Sequence, residues 1–214
     1  MAGSSSMFTP GDSQAVAADD RADASPAGKL PSLGLALSTA LAGVVVLLDE
    51  LVVWAGQPSG DPTAATVSQW YDAHSTRVLL GDGLWLAACG VLAAALWTAA
   101  ARFPDVPKWT ARAVGLPALT LLAASSVFTA QIALGVGVGG ELTSWHLGVL
   151  AFRAGTVLLA LTMVPVADGL RHSRHPWLAA PTVVVGLALA VPATSVLALV
   201  AAFVLVAVAL LLRP

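Results

Sequence analysis

Four ionisable residues, Asp49, Glu50, Asp82 and Arg153, stand inside apolar runs of this chain, where a charge is costly and marks a site by default. Asp49 and Glu50 lie near the end of the first run, Asp82 about a turn inside the second, and Gln131 near the end of the third. His146 opens the fourth run, and Arg153 follows seven residues later, two turns on along the same face and roughly 10 Å deeper. A guanidinium at that depth must pair or line a wet cavity, and Asp49, Glu50 and Asp82 are its expected partners. Two readings follow. The cluster is a structural ion-pair network, or it is a proton donor. In the second case three acids around one cation cannot all be neutralised, leaving one carboxyl to carry a proton that a substrate can take.

Aromatic residues accompany the acids. Adjacent helical residues point about 100° apart, so Asp49 and Glu50 are expected to face different surroundings, one the bundle and the other the headgroups. Glu50 and Trp54 are four apart and Asp82 and Trp85 three apart, so each acid is expected to share a helix face with an indole. Trp70, Tyr71 and Trp145 add further rings. They are either an ordinary aromatic belt at a membrane interface or ring faces that stabilise a cation; the latter matters for a substrate that passes through carbocations. His74 and His146 fall on the same side, but no HExxH or comparable spacing is present, so no metal and no cofactor is expected. The single cysteine, Cys89, leaves no internal disulfide or CxxC pair. A net charge of −2 without a Lys/Arg cluster argues against nucleic acid as a partner. The Gly135–Gly140 stretch lacks the Lys-Ser/Thr of a phosphate loop and reads as a flexible outer turn.

The elements that position these residues follow from composition. Apolar residues make up 57% of the chain and charged ones 10%, with a mean hydropathy of +0.84. That excludes an ordinary soluble domain and makes the lipid bilayer the principal partner. A spanning helix needs ~20 mostly apolar residues, and stretches 32–54, 78–101, 111–134 and 145–166 each supply them. The last stretch, 177–212, is too long for one helix, and Pro192-Ala-Thr-Ser195 in its middle has turn chemistry. The expected fold is therefore an all-α polytopic transmembrane helix bundle of six helices, with a five-helix bundle and a kinked last helix as the alternative. Residues 1–29 read as a disordered tail with too little apolar surface to order. Residues 30–214 form the helical domain, with a short helix near 63–76 lying in the outer interface through Val67, Trp70, Tyr71 and His74. Lys29, Arg102, Lys108, Arg112, Arg171, Arg174 and Arg213 fall on one side against Arg77 on the other, which predicts cytoplasmic termini.

Trp70-Tyr71-x-x-His74 ahead of the second helix, with Gly81-Asp82 at its start, resembles small multi-pass membrane proteins of actinobacteria, mostly uncharacterised. The likeness covers residues 32–166, and the Leu47-Leu-Asp-Glu-Leu51 run departs from it. That departure, with the size and helical make-up, resembles the small membrane-bound terpene cyclases of bacterial indole- and peptide-terpenoid pathways and their fungal meroterpenoid counterparts. This second resemblance implies a protonation-initiated cyclisation of a hydrophobic prenylated small molecule taken from the bilayer. Glu50 or Asp49 would be the general acid, with Asp82, held by Arg153, tuning it. Trp54, Trp70, Tyr71, Trp85, Gln131, Trp145, His146 and Arg153 would line the substrate. No DDxxD motif is present for magnesium-assisted ionisation. The alternative is a non-catalytic membrane protein that binds a small amphiphile, or assists assembly, through the same polar cluster.

Overall fold

The computed structural model describes residues 30–103, 106–137 and 139–212. The expected tail at 1–29, with Lys29, and Arg213 near the C-terminus lie outside the described residues. Among those described the chain forms six helices and no strand. α1 runs over Leu30–Leu48 and continues as a π-helical turn, Asp49–Val53. α2 is one helix of 39 residues, Ala64–Arg102. α3 covers Lys108–Ala133, with a π turn at Ala111–Gly115. α4 is Glu141–His172, α5 is Pro176–Ala190, and α6 is Ser195–Leu211. α1 to α4 are each long and apolar enough to cross a membrane. α5 has fifteen residues and rises about 22 Å.

The segment near 63–76, expected as a separate interfacial helix, is the beginning of α2. Thr63 caps it by accepting from the Thr66 backbone N–H at 3.2 Å, but nothing ends it at residue 76. Thr76-Arg77-Val78 contains no breaker, and Val67, Tyr71 and Val78 form one buried face across the junction. Arg77 also ties this stretch to α1, donating to the carbonyls of Val53 at 2.7 Å and Ala55 at 3.3 Å. Those carbonyls belong to a helix end and have no partner in their own helix. Arg102 does the same at the other end of the molecule, donating to the Leu210 carbonyl of α6. Arg112 lies over the Trp97 ring, 4.3 Å from its centroid. Replacing Arg77 with methionine keeps the stem and removes two charge-assisted bonds, so it should destabilise the fold by about 1.5–3 kcal/mol. Thermal unfolding in detergent micelles checks this, and an unchanged midpoint would refute the capping role.

The helices alternate in direction. The turn between α3 and α4 is tight because Gly135, Gly139 and Gly140 adopt φ of 69°, 70° and 101°, a region closed to most side chains. α4 then packs along α3 through a small-residue stripe, Gly148, Ala151 and Gly155. A main apolar core of α1, α2, α3, α4, α5 and α6 residues fills the middle, including Val46, Leu92, Leu122, Leu159, Leu189 and Phe203. At one end Phe103, Val106, Leu170 and Leu178 close the bundle. At the other, Val53, Val67, Tyr71, Val78, Ile132 and Trp145 form a smaller cluster. The polar residues gather beside that second cluster.

Candidate functional site

All six helices converge on a cavity of about 390 Å³, within the ~300–1,000 Å³ range of small-molecule sites. Asp49, Glu50 and Trp54 reach it from α1 and the turn after it, Asp82 and Trp85 from α2, and Ser125 and Thr129 from α3. Trp145, Phe152 and Arg153 come from α4, Leu189 from α5 and Ser195 from α6. A second hollow at the opposite end is about 90 Å³ and lined by apolar side chains such as Leu96, Phe103 and Met163, with Thr110, Thr162 and Thr182. It holds no titratable group.

The π turn explains how Asp49 is presented. Five residues along an α-helix lie about 140° apart, but a wide i to i+5 turn stacks them. The Trp54 backbone N–H accordingly donates to the Asp49 carbonyl at 3.3 Å, and its Nε1 donates to Asp49 Oδ2 at 2.9 Å. Trp54 therefore serves Asp49, not Glu50 as the four-residue spacing suggested. Asp49 is 5% exposed and its Oδ1 has no hydrogen-bond partner among the described residues. That oxygen lies against Gly81, where any Cβ would collide with it and with Val53. The Gly81-Asp82 pair thus has a physical basis: the glycine leaves room for one acid and the next residue is another. Glu50 is exposed at the cavity wall, in keeping with two neighbouring acids facing different surroundings.

Asp82 is 4% exposed and is held by Thr129, whose Oγ1 lies 2.8 and 2.9 Å from the two carboxylate oxygens. The expected hold by Arg153 is absent: among the described residues Arg153 makes no ion pair, and its side chain is exposed while lining the cavity. The reason is azimuth. Arg153 is next to Phe152, which packs inward on Trp85 with ring centroids 5.9 Å apart, so the guanidinium is turned aside from the acids. Thr129 Oγ1 also lies 3.0 Å from the Ser126 carbonyl. Its single proton can go to Asp82 or to that carbonyl. In the second arrangement the hydroxyl accepts from a protonated Asp82, so the pair accommodates either state of the acid without a broken bond.

Trp85 does not pair with Asp82; its Nε1 donates to the Leu122 carbonyl at 3.0 Å. Trp145 is 7% exposed, lines the cavity, and its Nε1 has no partner among the described residues. Four of the expected substrate contacts are not at the cavity wall. Trp70 stacks on Trp54 at 5.9 Å and on His74 at 4.8 Å, with Tyr71 edge-on at 5.0 Å, supporting Trp54 from behind. Tyr71 is buried in the small apolar cluster. Gln131 is half-buried outside the lining. His146 is exposed, donating from Nδ1 to the Leu142 carbonyl at 2.8 Å and meeting Trp145 edge-on.

Thr129, Ser125, Ser126, Thr156, Gln57 and Phe152 also line the cavity without having stood out in the sequence. Serine and threonine inside apolar helices usually bond their own backbone; a four-residue repeat such as Ser125 and Thr129 is their one signal. Among the described residues no three His, Cys, Asp or Glu side chains gather as a metal set would. What remains is a cavity with aromatic walls, two buried carboxyls and a separate guanidinium. It can bind a largely apolar molecule and exchange a proton with it. No protein family model, curated protein or solved structure matches the chain.

Proposed function

We propose that this chain is a multi-pass protein of the cell membrane, with both termini cytoplasmic, that cyclises a lipid-soluble prenylated substrate by protonating it. The observation that carries the reading is that two buried carboxyls, Asp49 and Asp82, face one aromatic cavity while forming no ion pair among the described residues. Such a carboxyl is suited to proton donation in an apolar site. The side-chain arrangement at the other end supports the orientation, since Arg102, Lys108, Arg112, Arg171 and Arg174 lie there and Arg77 lies at the cavity end.

In this reading Asp82 gives its proton to an alkene carbon. A C–H bond forms as the π bond opens, leaving a carbocation on the neighbouring carbon. A second alkene attacks that cation and closes a ring. The new cation loses a proton from an adjacent carbon to the Asp82 carboxylate, which restores the acid and a C=C bond. Substrate and product are isomers, and no redox partner or metal enters the balance. The faces of Trp54, Trp85 and Trp145 suit a passing cation, and the Thr129 hydroxyl follows the acid through both protonation states.

The test is to offer the protein in lipid nanodiscs a panel of farnesylated and geranylgeranylated indoles and dipeptides without magnesium. Chromatography should reveal a new isomer of unchanged mass whose formation Asp82→Asn suppresses. No conversion by folded protein across the panel would favour the second reading, a non-catalytic amphiphile carrier, which the exposed Glu50 and Arg153 at the cavity wall also suit.

A further inference from the structure

Arg153 lines the cavity and has no part in the proton-transfer reading. It lies twelve residues into α4, about 18 Å along the helix. With a ~30 Å hydrocarbon layer centred on this 48 Å helix, its Cα would lie about 9 Å inside that layer. A guanidinium so placed needs a counter-charge, yet it has no ion pair among the described residues. The three acids of the cavity are on α1 and α2 and form no ion pair with it among the described residues. Trp145 lines the same space with a side chain 7% exposed, and its Nε1 has no acceptor among the described residues. α4 thus brings to the cavity a guanidinium without an ion pair among the described residues, and α1 and α2 bring the acids.

We infer that the ligand of this cavity is an anionic amphiphile, whose carboxylate or phosphate head sits on Arg153 and whose apolar tail lies among Trp85, Trp145 and Phe152. Guanidinium forms paired, charge-assisted bonds with both kinds of oxyanion, and a head held there fixes which way round the molecule lies. The inference rests on the cavity being a ligand site, as proposed above, and it adds the charge of the substrate.

The experiment is a binding comparison in nanodiscs of purely zwitterionic lipid, using farnesyl monophosphate and farnesol as probes. Farnesyl monophosphate should bind about tenfold or more tightly than farnesol. In Arg153→Gln that preference should vanish while farnesol affinity holds, and Arg153→Lys should keep part of it. Thermal unfolding of both variants shows whether they are folded, and the lysine variant carries the test if the glutamine variant is not. A second arm adds phosphatidylglycerol to the nanodisc. If it competes with the probe, the head comes from a membrane lipid; if it does not, the head belongs to a free prenyl or acyl oxyanion, and either result supports the inference. Equal affinities for the two probes, or a preference that survives Arg153→Gln, overturns it. Because binding is read without turnover, failure of the cyclase reading leaves this result standing, and a neutral substrate turned over equally by Arg153→Gln would sink this inference alone.

Discussion

Asp82→Asn is expected to lower turnover by about 10²–10⁴-fold, the range for losing a general acid, while leaving the protein folded. Asparagine keeps the size of the side chain and an oxygen that can accept from Thr129, which lies 2.8 Å from Asp82 Oδ1. The amide has no acidic proton to give. Substrate affinity should change little, so the loss belongs in kcat and not in KM. Thr129→Val is the companion variant. It removes the hydroxyl that bridges Asp82 and the Ser126 carbonyl, and its cost should be smaller, about 1–3 kcal/mol of stability or of barrier for an acid left without its partner. Single-turnover kinetics with product separated by chromatography reads both. If Asp82→Asn keeps full rate and Asp49→Asn does not, Asp49 is the acid and Asp82 only positions Thr129.

The second large effect is on stability. Gly155→Leu should destabilise the bundle by about 3 kcal/mol or more, at the upper end of overpacking costs. A Cβ at residue 155 would lie 2.8 Å from Leu122 Cγ and 2.9 Å from the Ala118 carbonyl oxygen. The side chain can shift, but the backbone of α3 cannot without leaving α4. Leu122 also supplies the carbonyl that accepts from Trp85 and from Ser125, so moving α3 would take the cavity wall with it. Gly90→Ala is the control, since nothing lies within 4 Å of a Cβ there. It should be neutral or raise stability by up to about 1 kcal/mol through helix propensity. Thermal unfolding in micelles compares the two, and a Gly155→Leu protein as stable as the parent would refute close α3–α4 packing as a source of stability.

What could be foreseen divides along a physical line. Spanning lengths and the Pro192–Ser195 turn are written in residue types, and the helices do break there, α5 ending at Ala190 and α6 starting at Ser195. The collection of Asp49, Glu50, Asp82, Trp145 and Arg153 around one space followed from depth alone, because helix rise is regular. Direction around each helix was less legible. The Asp49–Trp54 bond needs a π turn, and no side-chain pattern in Asp49-Glu-Leu-Val-Val53 announces one. Arg153 was assigned partners by depth, but its neighbour Phe152 takes the place beside Trp85. The separate helix near 63–76 was inferred from an amphipathic face, whereas the chain simply continues, because Arg77 bonds to the end of α1 instead of to headgroups. Thr129 was invisible since a hydroxyl in an apolar helix ordinarily serves its own backbone.

The brevity of α5 has a consequence for the lipid around the protein. Its rise of about 22 Å is less than a ~30 Å hydrocarbon layer, and Ala190, Pro192 and Ser195 at its end form part of the cavity wall. A bilayer meets such a hydrophobic mismatch by thinning beside the short helix. The headgroup layer would then dip toward the α5–α6 turn, bringing an amphiphile's head to the depth of the cavity while its tail stays in oil. Acyl-chain length of the host lipid thereby becomes a variable of ligand entry: thicker membranes deepen the dip at greater elastic cost, and thinner ones bring the cavity level with the interface.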